Sequence, residues 1–169
     1  MKPNPRNPLI SARLQNIARW SACICSCIGT SRAADLLWDG GSVTNGNWST
    51  VANWNGDTAV PGVTDGGTTN TDVATFNAAL AHTWGLTGTP VVTTANLNIG
   101  GMSFDSAAGN YFIGTTGGSA IKLSSGGTIQ MLSTLTATNA IETINAPLVI
   151  QGAAGTYTIA NHSGHSWLK

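Results

Sequence analysis

Residues 96–160 read NLNIG GMSFDSAAGN YFIGTTGGSA IKLSSGGTIQ MLSTLTATNA IETINAPLVI QGAAGTYTIA. Apolar residues recur here in pairs with one residue between the two members. This period of two is typical of β-strands, whose side chains point alternately to opposite faces. Glycine, serine, threonine and asparagine separate the pairs and favour turns. The pairs are Leu97/Ile99, Met102/Phe104, Tyr111/Ile113, Ile121/Leu123, Ile129/Met131, Leu148/Ile150 and Tyr157/Ile159.

Strands that bury only two or three side chains are not stable alone, so they must stack on similar strands or close into a sandwich. The Asn-Gly and Asp-Gly pairs that favour two-residue hairpins do not occur in residues 96–160, whereas four of them lie upstream. Two or three apolar pairs give a turn of about 20–25 residues, within the range of solenoid repeats. The stretch therefore predicts an all-β chain, a parallel β-helix of two or three turns. A β-sandwich or jelly roll is the alternative.

The chain contains few charged residues. Hydrophobic residues make up 41% of the chain and charged residues only 8%, against about a quarter in ordinary globular proteins. Such compositions are typical of β-rich, often extracellular proteins. After Ala33 the chain has two lysines, no arginine and seven acidic residues, a net charge of −5. Binding to phosphate backbones needs clustered basic residues, so we expect no nucleic-acid partner.

The first 34 residues have the pattern of a signal peptide. Basic residues extend to Arg19, an apolar stretch follows at residues 20–29, and small residues come next. We expect cleavage after Ala33 or Ala34. A disordered basic leader and a lipoprotein signal ending at Cys23 are the alternatives. The three cysteines all lie in this leader, where they act as small hydrophobic residues.

The rest of the chain divides into three parts. Residues 35–95 are predicted to form a Trp-rich N-terminal cap and the first strands, and residues 96–161 the turns of the solenoid. Residues 162–169 are predicted to be a frayed or truncated end, because the sequence stops where another turn should begin. No stretch after residue 34 approaches the about 20 apolar residues of a membrane-spanning helix.

Three tryptophans, Trp38, Trp48 and Trp54, lie within 17 positions. Buried, they would cover the open end of a β-structure, because the first turn of a solenoid has no neighbour before it. Exposed, they would stack on sugar rings. The candidates for glycan stacking are Trp48, Trp54 and Trp84.

The sequence offers no catalytic, metal or cofactor site. Polysaccharide cleavage needs paired carboxylates or a base beside a bound uronate. Glu142 is isolated in the sequence, and Lys122 is the only internal lysine after the leader. Acidic side chains that are distant in sequence can still meet in space, so a polysaccharide-acting β-helix enzyme remains an alternative.

Several motifs together resemble one family. They are Leu37-Trp38-Asp39-Gly40, Trp48-Ser49-Thr50-x-x-Asn53-Trp54, Val73-Ala74-Thr75-Phe76, the segment from Met102 to Gly114 with Phe104-Asp105-x-Ala107-Ala108-Gly109, and Ile144-Asn145-Ala146-Pro147-Leu148. Across residues 36–161 the chain resembles the N-terminal part of proteins with autotransporter-associated β-strand repeats. The glycine-rich repeat common further along such proteins does not occur here.

The resemblance implies an exported, right-handed parallel β-helix passenger, displayed at the outer surface of a Gram-negative-type bacterium or secreted. In such proteins the Trp-rich opening begins the solenoid and many repeats follow, so this chain is expected to be the start of a longer one. The family has no shared catalytic residues. The expected function is that of a non-enzymatic structural or adhesin-like segment, with surface glycans or cell-surface proteins as partners. A glycan-binding module is the alternative.

Overall fold

Ten β-strands and one 3-10 helix (Val51–Asn53) form the regular secondary structure of the residues that the computed structural model describes, namely 35–64, 67–78, 84–152, 155–164 and 166–169. These residues belong to one compact unit. The strands are β1 (Asp35–Leu37), β2 (Val63–Thr64), β3 (Val73–Phe76), β4 (Leu97–Phe104), β5 (Phe112–Ile113), β6 (Ile121–Met131), β7 (Ile141–Ile144), β8 (Leu148–Ile150), β9 (Thr158–Asn161) and β10 (Trp167–Leu168).

Nine of the ten strands pair in parallel on three faces, and the short β2 pairs with β4 in the antiparallel direction. On the first face, the beginning of β4 pairs with the beginning of β6, which in turn pairs with β8. On the second face, β1, β3, the ends of β4 and β6, and β9 follow one another. On the third face, β5, β7 and β10 are neighbours. The long strands β4 and β6 each serve two faces, and their mutual register shifts between Ile99 and Gly101.

This arrangement is a β-solenoid of roughly three turns, which confirms the predicted parallel β-helix over the sandwich. Leu97 pairs with Ile121 and Ile121 with Leu148, so successive turns of the first face are 24 and 27 residues apart. On the third face, Phe112 pairs with Thr143, which is 31 residues away. Two of these three spacings exceed the predicted length of about 20–25 residues, because the corners between the faces take up extra residues.

The core runs along the axis of the solenoid as columns of inward side chains. Register pairs in successive turns place Ala74, Met102, Ile129 and Ile159 in one column. The first three are buried, with at most 1% of their surface exposed, whereas Ile159 in the last turn is 59% exposed. Each inward residue is thus covered by its equivalent in the next turn, and the column loses that cover at β9.

Candidate functional site

The tryptophans of residues 35–54 cover the N-terminal end of the core. The Trp54 ring lies between Trp48 and Trp38, with ring centroids 4.9 and 5.1 Å away and edge-to-face geometry. All three rings contact Phe76, which stacks on Phe104 one turn further on. Edge-to-face packing is favourable for aromatic rings. The predicted Trp-rich cap is therefore confirmed.

Trp48 and Trp54 are too deeply buried to serve as a sugar platform. Their exposed fractions are 2% and 0%. The Trp48 indole N–H donates to the Pro61 carbonyl oxygen at 2.9 Å, and that of Trp54 donates to the Trp48 carbonyl oxygen at 2.7 Å. The folded chain thus offers neither ring to a sugar, which corrects the glycan-stacking interpretation for these two residues.

Trp84, the third glycan-stacking candidate, is half-buried and packs against the same core. Its indole N–H donates to the Ser42 carbonyl oxygen at 2.7 Å. This bond ties the residue to the loop that precedes Trp48. The cleavage-site residues Ala33 and Ala34 lie outside the described residues.

Glu142 is a carboxylate buried in the core. It lies on β7, and its exposed fraction is 0%. The Tyr111 backbone N–H donates to Glu142 Oε2 at 2.8 Å, whereas Oε1 has no hydrogen-bond partner among the described residues. Burial raises the pKa of Glu142 to about 7, and backbone hydrogen bonds from Tyr111 and Asn110 oppose this rise. Near neutral pH, the Glu142 side chain is therefore present in both its neutral and its charged forms.

Tyr111 is the neighbour of Glu142 in the preceding turn. Its hydroxyl donates to the Ala78 carbonyl oxygen at 3.0 Å. Burial, and to a smaller extent the charge of Glu142, raises the pKa of this hydroxyl well above its usual value. Tyr111 therefore stays neutral throughout the physiological range, and both side chains are buried, with exposed fractions of 2% and 0%.

A polar groove lies on the outer surface, where the third face reaches its last turn. Its volume is about 430 Å³. Trp167, which is 52% exposed, forms one side. The sequence pattern did not single out this residue, because a two-residue strand shows no periodicity of its own. The groove is lined by Thr138, Asn139, Ser163, Gly164, Ser166 and Trp167.

A second depression, of about 370 Å³, lies at the C-terminal end of the solenoid. It is mostly apolar, and Ile129 and Ile144 belong to its lining together with the last-turn residues Leu148, Ile159 and Leu168. Leu148 is 36% exposed and Ile150 is 48% exposed. These side chains continue the inward columns, so the depression is the uncovered end of the core.

Two kinds of feature are absent from the described part of the chain. No three His, Cys, Asp or Glu residues there come close enough together to hold a metal ion. No helix among these residues has both the length and the hydropathy required to cross a membrane. Comparison of the chain with protein-family models, with curated proteins and with solved structures gave no match.

Proposed function

We propose that this chain is the capped beginning of an exported β-solenoid, a non-enzymatic structural segment of adhesin-like type at the surface of a Gram-negative-type bacterium. The basic leader, the small residues at Ala33 and Ala34 and the low charge support export. The motif resemblance to proteins with autotransporter-associated β-strand repeats supports the role of a passenger segment.

The observation that carries this proposal is the difference between the two ends of the solenoid. At the N-terminal end, Trp38, Trp48 and Trp54 seal the core. At the C-terminal end, inward residues such as Ile150 and Ile159 are about half exposed. Each turn of a solenoid contacts only its neighbours, and a terminal turn needs a cap. A scaffold with one sealed end and one apolar end is suited to growth by further turns in one direction.

The acidic side chains support a structural role, because several of them hold loops and strands together. Asp39 accepts the Gly41 backbone N–H, and Asp72 accepts that of Gly62. Asp105 accepts the Ser106 backbone N–H. Carboxylates that satisfy backbone donors in this way order turns.

Export is tested by making the full chain, with a C-terminal tag, in a Gram-negative host. We expect an exported product whose N-terminus is Ala34 or Asp35. The matched control is the Ala33→Glu, Ala34→Glu double variant, because a signal peptidase requires small residues at its cleavage site. An uncut chain in the cytoplasm, with no difference between wild type and control, would contradict the proposal.

The non-enzymatic part of the proposal is tested on the exported product. It is incubated with a panel of neutral and uronate-containing polysaccharides, and new reducing ends or unsaturated products are measured. We expect none above the background of a heat-unfolded sample. Turnover that is lost in a folded Glu142→Gln variant would favour the enzyme alternative.

A further inference from the structure

Trp167 projects from the outer surface of the solenoid. In the register of the third face, Trp167 pairs with Ile141 and Leu168 pairs with Glu142. Glu142 is buried in the core, so Leu168 points inward and Trp167 points outward, because neighbouring residues of a strand face opposite sides. An outward tryptophan stays accessible even when another turn stacks on the end of the solenoid. Trp167 is exposed because it lies on the outer side of its strand, whereas Ile159 is an inward residue that is exposed because no further turn covers it.

The polar side of the groove provides hydrogen-bonding groups. Asn139 and Thr138 line it, and their side chains make no hydrogen bond to another described residue. Asn139 is held with a backbone φ of 61°, in the left-handed region that asparagine tolerates better than most residues. An amide and a hydroxyl beside an exposed indole supply donors, acceptors and an apolar surface in one place.

The groove is held in shape by hydrogen bonds between its two walls. Ser166 Oγ donates to the Ala137 carbonyl oxygen at 2.7 Å, and the Trp167 backbone N–H donates to the Ala140 carbonyl oxygen at 2.8 Å. Asn161 bridges its own loop by donating to the Ser166 carbonyl oxygen at 2.6 Å. A site fixed in this way loses little conformational entropy when a ligand binds.

We propose that this groove binds a neutral carbohydrate, with one sugar ring against Trp167 and its hydroxyl groups directed to Asn139 and Thr138. The C–H face of a pyranose is apolar and weakly positive, and the indole face is negative, so the two surfaces are complementary. None of the described lining residues is charged. Hydroxyl and amide groups provide the hydrogen bonds that an uncharged sugar needs, so the proposed ligand is a neutral carbohydrate. This proposal concerns the folded solenoid and does not depend on its export.

The test uses purified chain with maltotriose, cellotriose and mannotriose as neutral probes, and trigalacturonate as the charged probe. Saturation-transfer NMR reports which sugar protons contact the protein, and the Trp167 indole N–H resonance reports the contact from the protein side. We expect millimolar binding of at least one neutral trisaccharide, with transfer to ring C–H protons and a shift of the Trp167 resonance.

Two variants probe the two sides of the groove. Trp167→Ala should weaken binding at least ten-fold. Asn139→Gly should weaken it several-fold, since glycine keeps the left-handed backbone and removes only the amide. The control is Val43→Ala, because Val43 is a 95% exposed apolar residue of the N-terminal region, outside the groove lining. Melting temperatures check that each variant is folded.

Three outcomes would overturn the proposal. The first is that no neutral trisaccharide binds at millimolar concentration. The second is that binding persists unchanged in both folded groove variants. The third is that trigalacturonate binds as tightly as the neutral probes. Failure of the export experiment would leave these measurements unaffected, so the two proposals fail independently.

Discussion

A single carboxyl group sets the pH response that we expect from this fold. Glu142 occupies an inward position between Tyr111 of the preceding turn and Leu168 of the next. Desolvation disfavours the charged form, so the pKa rises from 4.5 to about 7. A group whose pKa is higher in the folded state contributes stability that is present below the unfolded pKa and is lost as pH rises to the folded pKa.

The free energy of unfolding should therefore fall between about pH 4.5 and pH 7 and then level off. The loss is on the order of 3 kcal/mol for a shift of this size. Glu142→Gln keeps an oxygen that accepts the Tyr111 N–H and removes the ionisation. Urea unfolding at a series of pH values should show the variant nearly flat across this window and more stable than wild type above pH 7. A parallel pH dependence of both proteins would contradict the assignment.

Gly114 and Gly117 allow backbone strain to be separated from steric contact between turns. Their φ angles are nearly equal, +74° and +73°. A Cβ at Gly114 would overlap Ala146 of the next turn, with Ala146 Cα only 2.8 Å away, whereas a Cβ at Gly117 would meet nothing within 4 Å. Gly117→Ala should lower the free energy of unfolding by about 1 kcal/mol, because alanine adopts the left-handed backbone conformation less readily than glycine.

Gly114→Ala should cost about 3 kcal/mol or more, because overpacking adds to the same backbone strain. The measurement is the free energy of unfolding in urea. Adding Ala146→Gly to Gly114→Ala removes only the Ala146 methyl group, whereas the Ala146 Cα and N would stay 2.8 Å from the new Cβ, so the double variant should recover only part of the loss. Equal losses for the two single variants would show that Ala146 does not limit the space at this corner.

The sequence predicted some residue positions and missed others for identifiable reasons. Tyr111 and Ile113 alternate cleanly, and both are buried as predicted. In the segment Ile141-Glu142-Thr143-Ile144 the two apolar residues are three apart, so a period of two does not determine which side faces inward. The inward position of Glu142 results from the pairing of β7 with β5. This is a tertiary contact, which the local sequence pattern does not reveal. Trp167 was missed because β10 has only two residues and gains its place by pairing with β7.

At the scale of the strand, the position of a turn in the stack decides what an inward residue contributes. Ile129 on β6 and Ile159 on β9 are register partners in one column. Ile129 is 1% exposed and Ile159 is 59% exposed. Strand prediction from apolar pairs therefore identifies both residues correctly as inward, but it does not reveal that only one of them is covered.

Ile129→Ala should cost about 3 kcal/mol, since it leaves a cavity inside the stack. Ile159→Ala should cost less than about 1 kcal/mol, because most of that side chain is already in contact with water. The two substitutions form a matched comparison, because both remove an isoleucine from the same column of parallel strands. Thermal or urea unfolding gives both values, and similar losses would indicate that the last turn is covered in solution.

At the scale of the whole molecule, the sequence predicted the architecture because the same pattern is repeated. Short apolar pairs separated by corner residues, with no hairpin dipeptides after residue 96, leave parallel stacking as the way to bury every strand. The length of each turn was less predictable. Corners of different length join the faces, and a register such as Phe112 with Thr143 is fixed only when the turns contact each other. The groove at Trp167 depends on those corners and was correspondingly invisible in the sequence.

A repeated architecture also predicts that a whole turn can be added. Ile121 pairs with Leu148, so residues 121–147 make up one turn, and a second copy can be inserted between Pro147 and Leu148. The copy carries Glu142→Leu, which avoids stacking two buried carboxylates and supplies the residue type that Leu168 provides one turn later. The insertion should lengthen the solenoid by one strand spacing, about 4.8 Å.

We expect the enlarged protein to unfold in one cooperative transition, with a melting temperature at least as high as that of wild type and with more slowly exchanging amides.

The control copy has the same length and composition but exchanges Ile121 with Lys122 and Ile129 with Gln130, which turns Lys and Gln side chains toward the core. That control should lose cooperativity or melt at a lower temperature. Stability in this fold comes from contacts between neighbouring turns, so the order of inward and outward residues should matter more than chain length. Equal destabilisation by both insertions would mean that the turns are not interchangeable units and that growth from the apolar end is not a property of this chain.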